Sequence, residues 1–128
     1  MENQAVGSTS TGMAPNVAGA LAYVLGPITG VLFLVLEKEN RFVRFHAAQA
    51  VTTGVLIIGL SIALGLLSAL LAFIPVLGWL AAIALNFVLG LGSLVLWLLL
   101  MWRAYRGEQW EVPVAGPLAR RIAPDAFA

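Results

Sequence analysis

The chain has 128 residues, of which 61% are hydrophobic and 10% charged, with a formal net charge of +1 and no cysteine. Soluble domains run to roughly 45–50% apolar and about 25% charged residues, so this composition leaves too little polar surface to face water and points to lipid as the solvent. The near-neutral charge excludes a general nucleic-acid binder, and the missing cysteines exclude disulfides, thiol chemistry and cysteine metal sites.

Met1 to Asn16 is polar, rich in Gly, Ser and Thr, and free of Lys and Arg. It lacks the basic start of a signal peptide and the arginines of a transit peptide, and reads as a flexible tail. Spanning about 30 Å of hydrocarbon takes about 20 helical residues. Val17 to Leu36 fits as a first span, with Asn16 as N-cap, Pro15 just outside, and Gly26-Pro27-Ile28-Thr29-Gly30 as a kink within it. Gly26 and Gly30 carry the GxxxG spacing that lets helices approach closely.

Glu37 to Ala50 follows as a basic loop leading into a helix from Asn40. On that helix Arg41, Arg44 and Ala48 share one edge, and Phe42, Phe45 and Gln49 share another. A Glu37–Arg41 ion pair has the favourable i, i+4 order. The expected arrangement is interfacial: phenylalanines dip toward acyl chains and arginines meet phosphates. Two readings stay open, a loop that only fixes topology and a recognition surface for a partner or anionic lipid formed by Lys38, Arg41, Phe42, Arg44, Phe45, His46 and Gln49. A lone His46, without a second ligand or nucleophile, is weak evidence for catalysis or metal binding.

Ala47 to Phe73 is the second span, Ile74-Pro75-Val76-Leu77-Gly78 the breaker, and Trp79 to Trp102 the third span. Ser61, Gly65 and Ala69 recur at intervals of four, as do Ala82, Asn86 and Gly90, making small-residue stripes suited to helix packing. Asn86 is expected to bond across to another helix, with contact to a substrate as the other option. After Arg106 the tail carries Pro113, Pro117 and Pro124. Pro117 to Ala123 reads either as a helical turn or two with Leu118 and Ile122 inward, or as a disordered basic tail.

No Asp, Glu, Lys, Arg or His interrupts the three apolar runs, and every Lys and Arg falls in the first loop or after the last span. The positive-inside rule then puts the loop and the C-terminus in the cytoplasm, and the N-terminus and the Pro75 turn outside, in a cell or inner membrane. Trp102, Tyr105 and Trp110 mark the inner interface, Trp79 and Tyr23 the outer. The expected fold is an all-α, three-span protein with a flexible tail over residues 1–16, a membrane domain over 17–106 and a cytoplasmic tail over 107–128.

Leu36 to Gln49, preceded by Leu21-Ala22-Tyr23 and Gly30, resembles the signature of a family of small membrane proteins. That family is similar to the twenty-kilodalton import component of the chloroplast inner envelope and includes the MamF-like magnetosome proteins. The resemblance runs from about Ala20 to Arg106. It implies a helical membrane module working in an assembly: protein import through a proposed channel in the plastid relatives, organelle membranes and crystal growth in the magnetosome relatives. Plastid members have four spans, where three are read here.

The function expected is a noncatalytic scaffold or accessory subunit, partnered by the bilayer and by a second copy or another membrane protein. The alternative is an oligomeric channel or translocation subunit. No cofactor is called for, and enzyme chemistry finds no paired carboxylates in the spans, no HExxH and no base beside Ser61, Ser68 or Ser93.

Overall fold

The computed structural model describes residues 7–127, and all regular structure among them is helical: α1 (Pro15–Leu21), α2 (Pro27–Leu36), α3 (Arg41–Leu71), α4 (Leu77–Tyr105), α5 (Ala115–Ile122) and α6 (Pro124–Phe127). α3 begins where Asn40 Oδ1 accepts the Val43 N–H at 3.2 Å, the N-cap bond that satisfies one of the free amides of a first turn. It runs 31 residues to Leu71, about 46 Å at 1.5 Å per residue. Phe73 to Val76 turn the chain at Pro75. Gly78 then sits against the Leu71 carbonyl with no space for a side chain, and α4 returns for 29 residues.

α3 and α4 therefore form a hairpin, and its outer part is apolar and bare. Val55, Ile58, Leu60, Ile62 and Leu66 on α3, and Leu80, Ile83, Phe87, Val88, Leu91 and Val95 on α4, are all exposed. Both helices have the length and composition to cross a membrane.

The first apolar run departs from expectation. Val17 to Leu36 is not one helix: α1 ends at Leu21, a turn occupies Ala22 to Gly26, and α2 starts at Pro27. Gly26 has φ +60°, a conformation open to glycine, and Pro27 begins α2 at the position where a missing N–H costs nothing. α1 lies against α4, with the Asn16 side chain donating to Tyr105 O at 3.0 Å and Trp97 Nε1 donating to Tyr23 O at 2.7 Å. α2 runs back along α3, Pro27 against Gly54 and Gly30 against Ala47 and Val51. The run thus enters and leaves at the same end of the hairpin. Asn16 is not the N-cap either; Ala14 holds that place and Pro15 is the first helical residue.

Residues 7–14 of the expected tail are bonded to the α2–α3 loop, while Met1 to Val6 lie outside the described residues. Ser10 donates to the Glu37 carboxylate through its N–H and its hydroxyl, both at 2.9 Å, and Asn40 Nδ2 donates to Ser8 O at 3.2 Å. At the other terminus α5 and α6 pack on α3 through Ala119, Ala123 and Ala126 beside Phe45 and Ala48, and Ala115 joins the cluster that holds Ala50. Small side chains allow this close approach, so the inward residues are alanines; Ile122 faces out, contrary to the inward position expected for it.

Candidate functional site

The basic loop and the first turns of α3 hold most of the buried polar atoms. Phe42, His46 and Gln49 are at most 1% exposed, and Phe45 is 4% exposed. The Phe42 and Phe45 edge read as dipping toward acyl chains faces protein instead, because α1 covers Phe42 and His46 while residues 108–127 cover the rest; Arg41 on the other edge stays exposed. Gly19 of α1 approaches the Phe42 ring so closely that a β-carbon there would collide with it.

A chain of hydrogen bonds runs through this interior, and its direction follows from chemistry. His46 Nε2 lies 2.8 Å from Glu108 O; a carbonyl only accepts, so Nε2 carries the proton. His46 Nδ1 is then the acceptor for the Tyr23 hydroxyl at 2.7 Å. The Tyr23 oxygen accepts from Gln49 Nε2 at 3.1 Å, whose other hydrogen goes to Trp110 O at 3.0 Å. Gln49 Oε1 accepts the Val112 N–H at 2.9 Å, and the Thr52 hydroxyl donates to Ala115 O at 3.0 Å. Every link is used in one orientation, with a neutral imidazole. Its effect is a clasp that fastens Glu108 to Ala115 onto α3 and the end of α1.

Tyr23, expected near the outer interface, is a member of this clasp at 2% exposure. Tyr23, Trp97, Thr52 and Glu37 were all missed as interior polar groups. Each has a partner 23 to 74 residues away in sequence, beyond any local pattern. Glu37 does not pair with Arg41. Its carboxylate accepts from Asn40 N at 3.0 Å, Glu39 N at 3.1 Å and Ser10. Burial works to raise the Glu37 carboxyl, but these bonds together outweigh it and hold it below the ordinary carboxylate range.

The cations divide into two groups. Arg44 is largely enclosed: Nη1 caps α2 at Leu34 O and Glu37 O, at 3.1 and 2.9 Å, and Nε bonds Asp125 Oδ2 at 2.8 Å. That bond holds the Asp125 carboxyl below its usual range. Arg103 pairs with Glu108 at 3.2 Å and lies over Trp110, and Arg120 pairs with Glu111 at 2.6 Å. Lys38, Arg41 and Arg121 are exposed at the same end of the molecule, opposite the Pro75 turn, as are Arg120 and Arg106, the latter pairing with Glu108 at 3.6 Å.

Of the packing residues expected from spacing, Gly30 meets α3 directly. Gly26 serves the turn instead, and Gly65 and Gly90 look onto open space. Ser61 bonds only to Ile57 O, at 2.8 Å. Asn86 does cross between helices, donating to Ser68 Oγ at 2.9 Å and to Ala82 O at 2.8 Å. A cavity of about 60 Å³ beside the turn is lined by Tyr23, Gly26, Thr53, Gly54 and Trp97, the volume of about two water molecules. No cluster among the described residues has the side chains to hold a metal.

These features define an all-helical membrane protein: an apolar hairpin carrying a compact, internally bonded helical head. Residues 8–119 match the model of the magnetosome magnetite crystal formation protein family, and the chain belongs to that family. It is 43% identical over 118 residues to a UPF0132 membrane protein of Methanocaldococcus jannaschii, covering 92% of this chain and 96% of the relative. It is also 43% identical over 109 residues to a UPF0132 membrane protein of Archaeoglobus fulgidus, covering 85% and 95%. A second Methanocaldococcus jannaschii membrane protein is 36% identical over 110 residues, covering 86% and 71%. No solved structure matches the chain.

Proposed function

We infer that the protein is a noncatalytic membrane scaffold or accessory subunit that docks anionic headgroups or an acidic partner at the inner face of a cell membrane. The observation that carries this reading is the placement of charge. Lys38, Arg41, Arg106 and Arg121 are exposed on the head, while the exposed surface of the hairpin beyond it is uncharged and almost wholly apolar. With the hairpin spanning the bilayer, the positive-inside rule sets the head in the cytoplasm and the Pro75 turn outside.

The docking surface is narrower than the loop as a whole. Phe42, Phe45, His46 and Gln49 build the head, and Lys38, Arg41 and Arg121 meet the partner. A second copy or another membrane protein is the companion for the hairpin faces. The alternative role, a channel or translocation subunit like the plastid import component, requires several copies, since two spanning helices enclose no lumen.

A photo-crosslinking residue in place of the exposed Glu39 tests the reading in native membranes. A discrete adduct to a protein or an anionic lipid is expected, and charge reversal of Lys38, Arg41 and Arg121 to Glu should abolish it. An adduct pattern that survives the reversal would overturn docking through these cations.

A further inference from the structure

We propose that Pro15 to Leu36 is a re-entrant helix pair that enters one leaflet only, the leaflet beside the head. The chain then crosses the bilayer twice, and Ser8 to Met13 emerge on the same side as the C-terminal tail. This inference rests on the reading above that the α3–α4 hairpin spans the membrane.

Direction comes first. Going from Asn16 to Tyr23, the partners on α4 fall from Tyr105 to Trp97, so α1 descends toward the hairpin tip. Going from Pro27 to Leu34, the partners on α3 fall from Gly54 through Val51 and Ala47 to Arg44, so α2 climbs back. The turn between them lies level with Gly54 and Trp97. Beyond that level α3 continues for about 17 residues, roughly 26 Å, without company from either short helix.

Length agrees with a single leaflet. α2 has 10 residues, about 15 Å, and with the α3 segment beyond the turn this makes about 41 Å, the thickness of a bilayer with its headgroup regions, so α2 occupies only the leaflet beside the head. Its outward side chains, Ile28, Val31, Leu32 and Val35, are 50–70% exposed. They continue the apolar surface of the hairpin up to Glu37 and Lys38.

The turn itself supplies the second line of support. Irregular backbone at membrane depth persists only where its polar groups are satisfied by the protein. The Thr29 hydroxyl accepts the Leu25 N–H at 3.1 Å and donates to Ala22 O at 2.7 Å. Trp97 Nε1 and the Gly26 N–H both donate to Tyr23 O, at 2.7 and 3.1 Å, and the Val24 N–H reaches Leu21 O at 3.1 Å. A water-facing turn would need none of this, since solvent would supply the partners. One threonine hydroxyl, serving both the end of α1 and the loop, lets the break sit in lipid.

The absence of cysteine makes a side-by-side accessibility test clean. Single variants Ser8→Cys, Thr11→Cys, Lys38→Cys, Phe73→Cys and Arg121→Cys in the full chain are exposed to an impermeant maleimide, in sealed vesicles of one orientation and again after lysis. Ser8, Thr11, Lys38 and Arg121 should label from one side and Phe73 only from the other. Ser8 and Thr11 labelling with Phe73 would overturn the re-entrant pair while leaving the spanning hairpin intact. Phe73 labelling from the Lys38 side would remove the hairpin reading, and the re-entrant pair with it.

Discussion

Gln49 shows how much of this protein depends on one amide. Its side chain makes three bonds, two from Nε2 and one to Oε1, to groups on two distant segments. Replacing it with Ala leaves Trp110 O and Val112 N buried without partners, at about 1–3 kcal/mol each. Gln49→Ala should therefore lower stability by about 2–6 kcal/mol, read by denaturation in detergent, with faster proteolysis between Glu108 and Ala115. Gln49→Glu should do no better, because a carboxylate has no N–H to offer Trp110 O. The helix carrying Gln49 was legible in the sequence, as was its spacing from Phe42 and Phe45. Which way that stripe faces was not, because the covering residues come from beyond α4 and leave no mark on local periodicity.

Among the elements, the two short helices and the C-terminal tail are where local reading and structure part. Gly-Pro-x-Thr-Gly in an apolar run of spanning length reads naturally as a kink, and a kink and a reversal have the same local chemistry. The contact that decides is Gly30 on Ala47 and Val51, where a β-carbon would come within 2.8 Å of the Ala47 carbonyl oxygen. Gly30→Val should push α2 off α3 and cost about 1–3 kcal/mol. Gly65→Val, facing open space, should leave the melting temperature unchanged. Equal losses from the two would show that spacing, rather than the observed contact, governs packing. In the tail, Pro113 and Pro124 lie at the breaks but Pro117 lies inside α5, and alanines line the contact while Ile122 faces out, since only small residues let α5 lie close on α3.

The whole molecule combines two solvents. The head hides its polar side chains in an internal network, and the hairpin offers the surroundings almost nothing but aliphatic and aromatic carbon. Leu66, 67% exposed near the middle of the outer part of α3, is a direct probe of the second half. Leu66→Arg should cost about 2.5–3.5 kcal/mol of insertion, seen as protein lost from the alkaline-washed membrane pellet. An unchanged pellet would mean that this surface does not face lipid.

Composition and order of residues by themselves determined that the chain is helical, that Asn40 starts a helix, that Pro75 marks the turn between the two long helices, and that the cations gather at one end. Each of these follows from local forces: backbone amides in lipid must bond within their own helix, asparagine caps, proline breaks, and charge avoids hydrocarbon. Tertiary structure alone decided that the first apolar run turns back and that His46 and Gln49 face inward. Those outcomes depend on which distant groups meet, Thr29 with Ala22, Tyr23 with His46, Gln49 with Trp110 and Val112, and such meetings are set by packing in space rather than by neighbours along the chain.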